Sequence, residues 1–335
     1  MTQTSCVTGI SGQTGSYLAE ILLDKGHKVY GMIRKSSNFT TERIAHLYDN
    51  PNLKLVYGDL NDAMSVVDFV TSSKPDYFFN LGGFSHVRSS FELPLTAMDV
   101  DGLGVMRCLE AIRKYSPGTK FLQAATSELF GDAKPPQNEL TPFKPRSPYA
   151  IGKLAGFASV VNYREAYEIH ASNAISFNHE SPRRNPTFVT RKITKSLCSL
   201  KMGLTNKLYL GNLTAKRDFT HAKDVAEAMY LIIKSDIPDD YVIGTGVSYS
   251  VEDFLNIVAN KLGLNWHDYV KFDPRLLRPT EVPFLQSDSA KIRKKLGWEP
   301  KITFDQLIDE MIESDLKLAQ QEKLIKENLE YTVKW

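Results

Sequence analysis

The sequence has little cysteine, little excess charge and no long apolar run, and each shortage excludes something. Its 335 residues hold three cysteines, Cys6, Cys108 and Cys198, in apolar settings with no paired spacing. That pattern argues against a disulfide framework and suits small buried residues in a reducing cytosol. No Cys/His ligand spacing occurs, so no metal is expected. With 41 basic and 39 acidic residues, the formal charge is +2. No bulk field therefore speaks for nucleic acid or a membrane surface, and any anion recognition has to be local. No apolar run approaches the roughly 20 residues of a membrane helix. The opening MTQTSCVTGI enters a strand pattern without a charged and apolar leader, so the expected location is the cytoplasm.

What is present is alternation. TSCVTGI, KVYGMI, KLVYGD, YFFNLG and KFLQAATS read as short buried strands, and amphipathic stretches such as SYLAEILLDKG and AMSVVDFVTSS lie among them. This order predicts an α/β fold, a Rossmann-like doubly wound parallel sheet with helices on both faces. Residues 178–220 change character, with prolines, four arginines and little periodicity. We expect a nucleotide-binding domain over residues 1–177 and a smaller mixed α/β substrate domain over 178–335. A late strand around 241–246 is a candidate to rejoin the first sheet.

VTGISGQTGSYLAEILL sets Gly9, Gly12 and Gly15 between the first strand and the first helix. Glycines there permit a tight turn and close approach of a pyrophosphate to the helix N-terminus. Where an NAD enzyme usually ends its second strand with an acid, this chain has Arg34 and Lys35, then Ser36 and Ser37. Cations and hydroxyls suit a 2′-phosphate, which predicts NADP. Asp59 ends the third strand, and Leu81, Gly82 and Gly83 end the fourth.

SPYAIGK places Tyr149 and Lys153 four residues apart, on one face of a helix. An ammonium beside a phenol favours phenolate, which takes a hydroxyl proton as a carbon gives up hydride. AATSELFGD adds Thr126, Ser127 and a carboxylate, Glu128, where the fifth strand runs out. Oxidation of an alcohol does not need that carboxylate. If a sugar is first oxidised at C4, however, the C5 proton turns acidic. A base there removes it, expels the 6-hydroxyl as water, and the hydride returns to C6. Reduction, epimerisation and dehydration of another hexose stay open on these residues, with Glu128 favouring dehydration.

TGISGQTGSYLAE, TSELFG, TPFKPRSPYAIGKL, NYREAY, FNHESPRR, FVTRKIT, LGNLTAKRDFTHAKD and RPTEV, taken in order, resemble the segments of the GDP-mannose 4,6-dehydratases. These belong to the extended short-chain dehydrogenase/reductase superfamily. The resemblance implies a lyase making GDP-4-keto-6-deoxymannose from GDP-mannose. It implies that Thr126 binds the hydroxyl being oxidised, Glu128 is acid and base at C5 and C6, and Tyr149 is the oxidation base aided by Lys153. It implies NADP contacts from Gly9, Gly12, Gln13, Gly15, Arg34, Ser36, Ser37, Arg43, Asp59, Leu60, Leu81, Gly82, Ser85, Tyr149, Lys153, His179 and Arg184. Ser85, Thr126, Ser127, Glu128, Asn178, Val189, Lys192, Arg217, Arg278 and Glu281 are the implied substrate contacts. A homotetramer or homodimer, with Arg43 reaching a neighbouring subunit, is implied as well. Thr14, Thr96, Asn185, Pro186, Phe219 and Thr220 depart from residues usual in that family.

Overall fold

The computed structural model describes residues 2–332, with side chains through Asn328. The first half alternates as follows: β1 (Thr4–Thr8), α1 (Gln13–Asp24), β2 (Lys28–Ile33), β3 (Leu53–Tyr57), α2 (Ala63–Ser73) and β4 (Tyr77–Asn80). Two short helices, α3 (Val87–Ser90) and α4 (Pro94–Met98), lead through a π turn at Asp99–Leu103 into α5 (Gly104–Tyr115). Then come β5 (Lys120–Thr126), α6 (Pro148–Tyr167) and β6 (Ala171–Ser176). The rest comprises β7 (Asn178–Glu180), α7 (Val189–Lys201), β8 (Leu208–Leu210), β9 (Lys216–His221), α8 (Ala222–Lys234), β10 (Tyr241–Ile243), β11 (Ser248–Ser250), α9 (Val251–Leu262), β12 (Val270–Phe272), α10 (Ala290–Leu296) and α11 (Phe304–Thr332).

The main sheet runs β3–β2–β1–β4–β5–β6–β10, and every pairing in it is parallel. Strands buried on both faces read as continuous apolar runs, which is why they stood out in the sequence. One face packs Val7, Phe79 and Leu122 against Leu18 and Leu22 of α1 and Met229 and Ile232 of α8. The other packs Cys6, Phe78 and Phe121 against Phe69 of α2 and Leu109 of α5. The strand order reverses between β1 and β4, the place where a sheet of this kind opens a ligand crevice at its carboxyl edge. A buried polar relay fixes that edge. Thr8 donates to Asn80 (2.6 Å), and Asn80 donates to Gln123 (2.7 Å).

A second core joins Leu197 of α7, Phe254 and Leu255 of α9, and Ile308 and Met311 of α11. Here the structure differs from the sequence reading, because α7 lies inside the stretch read as irregular. Its apolar stripe, Ile193, Leu197, Cys198 and Leu200, starts only after a polar first turn. The prolines ahead of it, Pro182 and Pro186, masked the start. Although both follow residue 177, α8 packs on the first sheet and β10, within the late strand read around 241–246, pairs with β6 at its edge.

Among the described residues, no helix is long and apolar enough to cross a membrane, and no group of three His, Cys, Asp or Glu side chains is placed to hold a metal.

Candidate active site

The glycine loop follows β1 and turns tightly. Gly9 has φ +66°, and a Cβ on it would fall 2.8 Å from the amide of Gly82. A Cβ on Gly15 would stand 2.2 Å from the Gly9 carbonyl, so the loop and α1 close only without side chains there. Gly12 is different. A Cβ there would press on the Gly9 carbonyl, at 3.1 Å, but would meet nothing else within 4 Å, so it is tight on one side and open on the other. Gly12 caps α1, no side chain caps that end and no acid occupies the first turn. The helix start is therefore left with free N–H groups for an anion.

The side chain of Gln13 points elsewhere. It donates to the His179 carbonyl (2.9 Å) and accepts from Ser181 (2.8 Å), which ties the loop to the segment after β7. Arg183 docks the same segment on α1, donating to Ser16 and pairing with Glu20 at 2.6 Å. Arg43 donates to the Arg183 carbonyl (2.6 Å) and, at 3.4 Å, to the carbonyl of Ser11 in the glycine loop of its own chain.

Beyond β2 and β3, Arg34, Lys35, Ser36 and Asp59 share one cleft with Ser11 and Asp62. Both carboxylates there are engaged locally: Asp59 accepts from the Asn61 amide and Asp62 caps α2 through the Met64 amide. Ser37 follows them but does not line the cleft. Leu60 is buried beneath Gly82, where a Cβ would meet its Cδ1 at 2.9 Å.

An inner chamber lies at the carboxyl ends of β4, β5 and β6. Leu81, Ser85, Thr126, Ser127, Glu128, Tyr149, Lys153, His179 and Arg184 line it, with Thr14 from the glycine loop. Thr126 ends β5 and caps the short turn Ser127–Leu129 by accepting from the Glu128 amide at 3.3 Å. That turn swings the Glu128 carboxylate to the chamber mouth, where Oε1 lies 3.3 Å from Arg278 Nη1. Ser147 caps α6 by accepting from the Ala150 amide, and Pro148 follows at the helix start. These fix the entry of α6, so Tyr149 and Lys153 both face inward.

Burial pushes the Tyr149 phenol above its ordinary range, although Lys153 and a hydrogen bond with Thr126 pull it down. The sequence reading had only the pull of Lys153 and expected a net lowering; in the chain alone burial outweighs it. For Lys153, burial acts against the ammonium, but Asp101 and Tyr149 raise its pKa above the usual value. Its Nζ donates to the Ala124 carbonyl at 3.0 Å and lies 3.6 Å from Asp101 Oδ1. Burial pushes the imidazole of His179 down to about 4, assisted by Arg184.

An outer chamber shares Asn178, Arg184, Phe188 and Arg278 with the inner one. Val189 and Lys192 of α7, Arg217 of β9 and Glu281 complete its wall. Arg217 is buried and pairs with Glu281 at 3.3 Å. Two lobes thus present five cations, Arg88, Arg184, Lys192, Arg217 and Arg278, around one cavity, next to a carboxylate, a phenol and an ammonium. The functional region also contains residues the motifs had not singled out. Asp101, buried against Lys153, is the foremost; Glu180, paired with Arg184 at 3.1 Å, is another. Asp101 had a signal: it heads the buried stripe Val105, Cys108, Leu109, Ile112, where an unpaired acid is out of place.

The sheet order, the glycine loop after β1 and the Tyr/Lys pair on α6 define an extended short-chain dehydrogenase/reductase. The comparisons with known proteins narrow this. A profile described as GDP-mannose 4,6 dehydratase matches residues 6–311. GDP-mannose 4,6 dehydratase 2 of Arabidopsis thaliana is 50% identical over 329 residues, covering 95% of this chain and 88% of that protein. GDP-mannose 4,6-dehydratase of Vibrio cholerae is 44% identical over 361 residues, covering 97% of each. The crystal structure of dTDP-glucose 4,6-dehydratase from Bacillus anthracis, in complex with NAD, superposes with a TM-score of 0.83 at 20% identity, covering 94% of this chain and 97% of that one. The chain belongs to the GDP-mannose 4,6-dehydratase family.

Proposed function

We propose that this protein is a lyase that converts GDP-D-mannose to GDP-4-keto-6-deoxy-D-mannose with NADP. The observation that carries the reading is the position of Glu128. A carboxylate stands at the end of β5 in the same chamber as Tyr149 and Lys153, where oxidation alone has no use for one. The residues fit a dinucleotide: the open side of Gly12 and the uncapped start of α1 suit a pyrophosphate. Arg34, Lys35 and Ser36 suit a 2′-phosphate, and the two carboxylates near them are occupied by backbone amides. A bound nicotinamide supplies the acceptance and return of hydride.

In this reading Thr126 and Tyr149 bind the C4 hydroxyl and Tyr149 takes its proton, with Lys153 steadying the phenolate. Glu128 removes the C5 proton and delivers a proton to the departing 6-oxygen, so one molecule of water leaves. Lys192, Arg217 and Arg278 grip the diphosphate, and Asn178, Val189 and Glu281 complete the nucleotide wall. Ser85 and Ser127 face the sugar.

We read the protein as cytoplasmic and homo-oligomeric, a dimer or tetramer. Leu93, Leu95 and Met98, then Leu103 and Met106, are exposed along the run from α4 to α5, and apolar side chains grouped in this way suit a protein–protein surface. Arg43 belongs to the cofactor side of the site through the glycine loop.

The decisive experiment uses GDP-mannose deuterated at C4. Deuterium appearing at C6 of the product, with no NADPH consumed, supports the dehydratase. Demand for NADPH and a keto substrate would identify a reductase instead.

A further inference from the structure

We propose that Asp101 is the fixed counter-charge that positions Lys153 and sets how strongly its ammonium acts on Tyr149, a role that rests on the Tyr149–Lys153 pairing proposed above. Asp101 lies in the π turn between α4 and α5, and such turns re-aim side chains at functional sites. Its side chain is wholly buried, 3.6 Å from Lys153 Nζ. Oδ1 accepts from the Phe84 amide at 3.0 Å. Oδ2 is buried with no hydrogen-bond partner among the described residues. A buried carboxylate left half-satisfied is costly. A side chain kept for shape alone would not carry that cost.

The surroundings are cut back to admit it. A Cβ on Gly83 would fall 2.7 Å from Asp101 Oδ1 and 3.0 Å from Lys153 Nζ. A Cβ on Gly152 would lie 3.2 Å from Asp101 Cβ, and one on Gly156 would lie 2.5 Å from the Asp101 carbonyl. The loop after β4 and the inner face of α6 are thus both pared to glycine around one acid. The charged groups that face it are few. Lys153 and Tyr149 come from α6, and Glu128 acts on Tyr149 from the end of β5. On its own run, Arg107 is taken by Asp99 at 2.7 Å and by the Leu60 carbonyl.

The two effects of Asp101 are opposed. Burial raises the Asp101 carboxyl above its ordinary range, while Lys153 and the Phe84 amide pull it back; in its charged form it holds the proton on Lys153 against burial. It also raises the Tyr149 phenol, partly offsetting the pull of Lys153. Removing the charge while keeping the shape therefore moves both ionisations the same way. Tyr149 loses a negative neighbour and ionises at lower pH. Lys153 loses the group that keeps it charged and sheds its proton at lower pH.

The test is the pH profile of kcat/KM for GDP-mannose in the NADP-loaded enzyme, with thermal unfolding as the check on folding. For Asp101→Asn we expect both limbs to move to lower pH, with activity on the basic limb reduced about tenfold for each unit of displacement. Asp101→Glu keeps the charge and is expected to keep the native profile at a lower rate. An Asp101→Asn profile that superimposes on the native one, or is scaled down equally at every pH, overturns the proposal. If the Asn variant does not fold, a Glu variant whose limbs move acidward with its charge intact overturns it just as well. Tyr149→Phe separates the two readings. Native turnover there would remove the catalytic pairing itself, whereas an inactive Phe variant beside an unshifted Asn variant removes only the role of Asp101.

Discussion

Arg278 crosses the cleft to Glu128, with Nη1 3.3 Å from Oε1, and the same nitrogen lies 3.5 Å from Glu281. The loop that carries it is tied down on both sides. Arg88 donates to the Arg275 carbonyl, and Thr280 donates to the Arg146 carbonyl. Arg278 thus stands on the shared wall of the two chambers, between the proposed acid/base group and the proposed diphosphate grip. Charge-assisted contacts of this kind are worth roughly 1.5–3 kcal/mol. Arg278→Gln should therefore raise the KM for GDP-mannose by about 10- to 100-fold, measured by steady-state kinetics, while NADP affinity stays within about twofold. A KM that does not change would remove Arg278 from the substrate site.

Glu128→Gln keeps the size of the side chain and its place on the Ser127–Leu129 turn, but it cannot accept the C5 proton. Elimination should fall by about 10²- to 10⁴-fold, the usual weight of a general acid/base group. NADP affinity should change little, because Glu128 is not among the residues assigned to the cofactor and the Arg34 cleft is a separate one. Product formation is followed by mass spectrometry with the C4-deuterated sugar. A Gln variant with more than about a tenth of native turnover would contradict the assignment.

The fold was legible in the sequence where local pattern and final packing coincide. β1, β2, β4 and β5 are largely buried, so each reads as an apolar run, and Gly9 before α1 and Gly15 in its first turn stand where the backbone leaves no room for a side chain. Tyr149 and Lys153 were legible because helical spacing alone brings them together. Asp101 left a trace as an acid at the head of an apolar stripe, but its pairing was not legible, since its partner lies on a helix 52 positions away and only the π turn aims it inward. The same holds for Gln13, whose side chain is committed to residues 166 and 168 positions on. The tuning of Tyr149 was half legible: spacing shows the ammonium, but burial appears only once the chain is folded.

In the proposed reading, Arg34 decides between cofactors. It lies at the mouth of the cleft with Lys35 and Ser36, where a 2′-phosphate would take a charge-assisted contact. Arg34→Gln should weaken NADP by about 10- to 100-fold and leave NAD nearly unchanged, as read by calorimetric titration of the cofactor-free protein. Equal affinities for the two cofactors in the native protein would dismiss the NADP preference at once.

His170 and His179 both have pKa values pushed down to about 4, from 6.5, chiefly by burial. Each is therefore neutral in the folded protein where an unfolded chain would bind a proton. The stability this neutrality represents is complete above about pH 6.5 and is lost as the pH falls toward 4, because the unfolded state gains protons first. The contribution of His179 is on the order of 1–3 kcal/mol. Thermal unfolding between pH 7 and 4 should show a falling midpoint, and His179→Gln should flatten that fall. A slope that is the same in the variant would show that His179 does not titrate in this way.

The second core depends on an ion pair between its helices. Asp315 of α11 accepts from Arg191 Nε at 2.8 Å, its Oδ1 lies 2.7 Å from Arg191 Nη2, and Thr194 donates to Oδ2 at 2.6 Å. Both charged side chains are buried, and Arg191 also donates to the Pro182 carbonyl, holding the segment that reaches Arg183 and Arg184. Removing one partner strands a buried guanidinium and costs about 3–5 kcal/mol. Asp315→Ala should therefore lower stability by that amount in urea unfolding. It should also weaken substrate binding, because Val189 and Lys192 sit within one turn of Arg191 on α7. Asp315→Asn keeps the hydrogen bonds in part and should lie between the two. If Asp315→Ala unfolded like the native protein, the pair would be solvent-screened and α7 would owe its position to the apolar stripe alone.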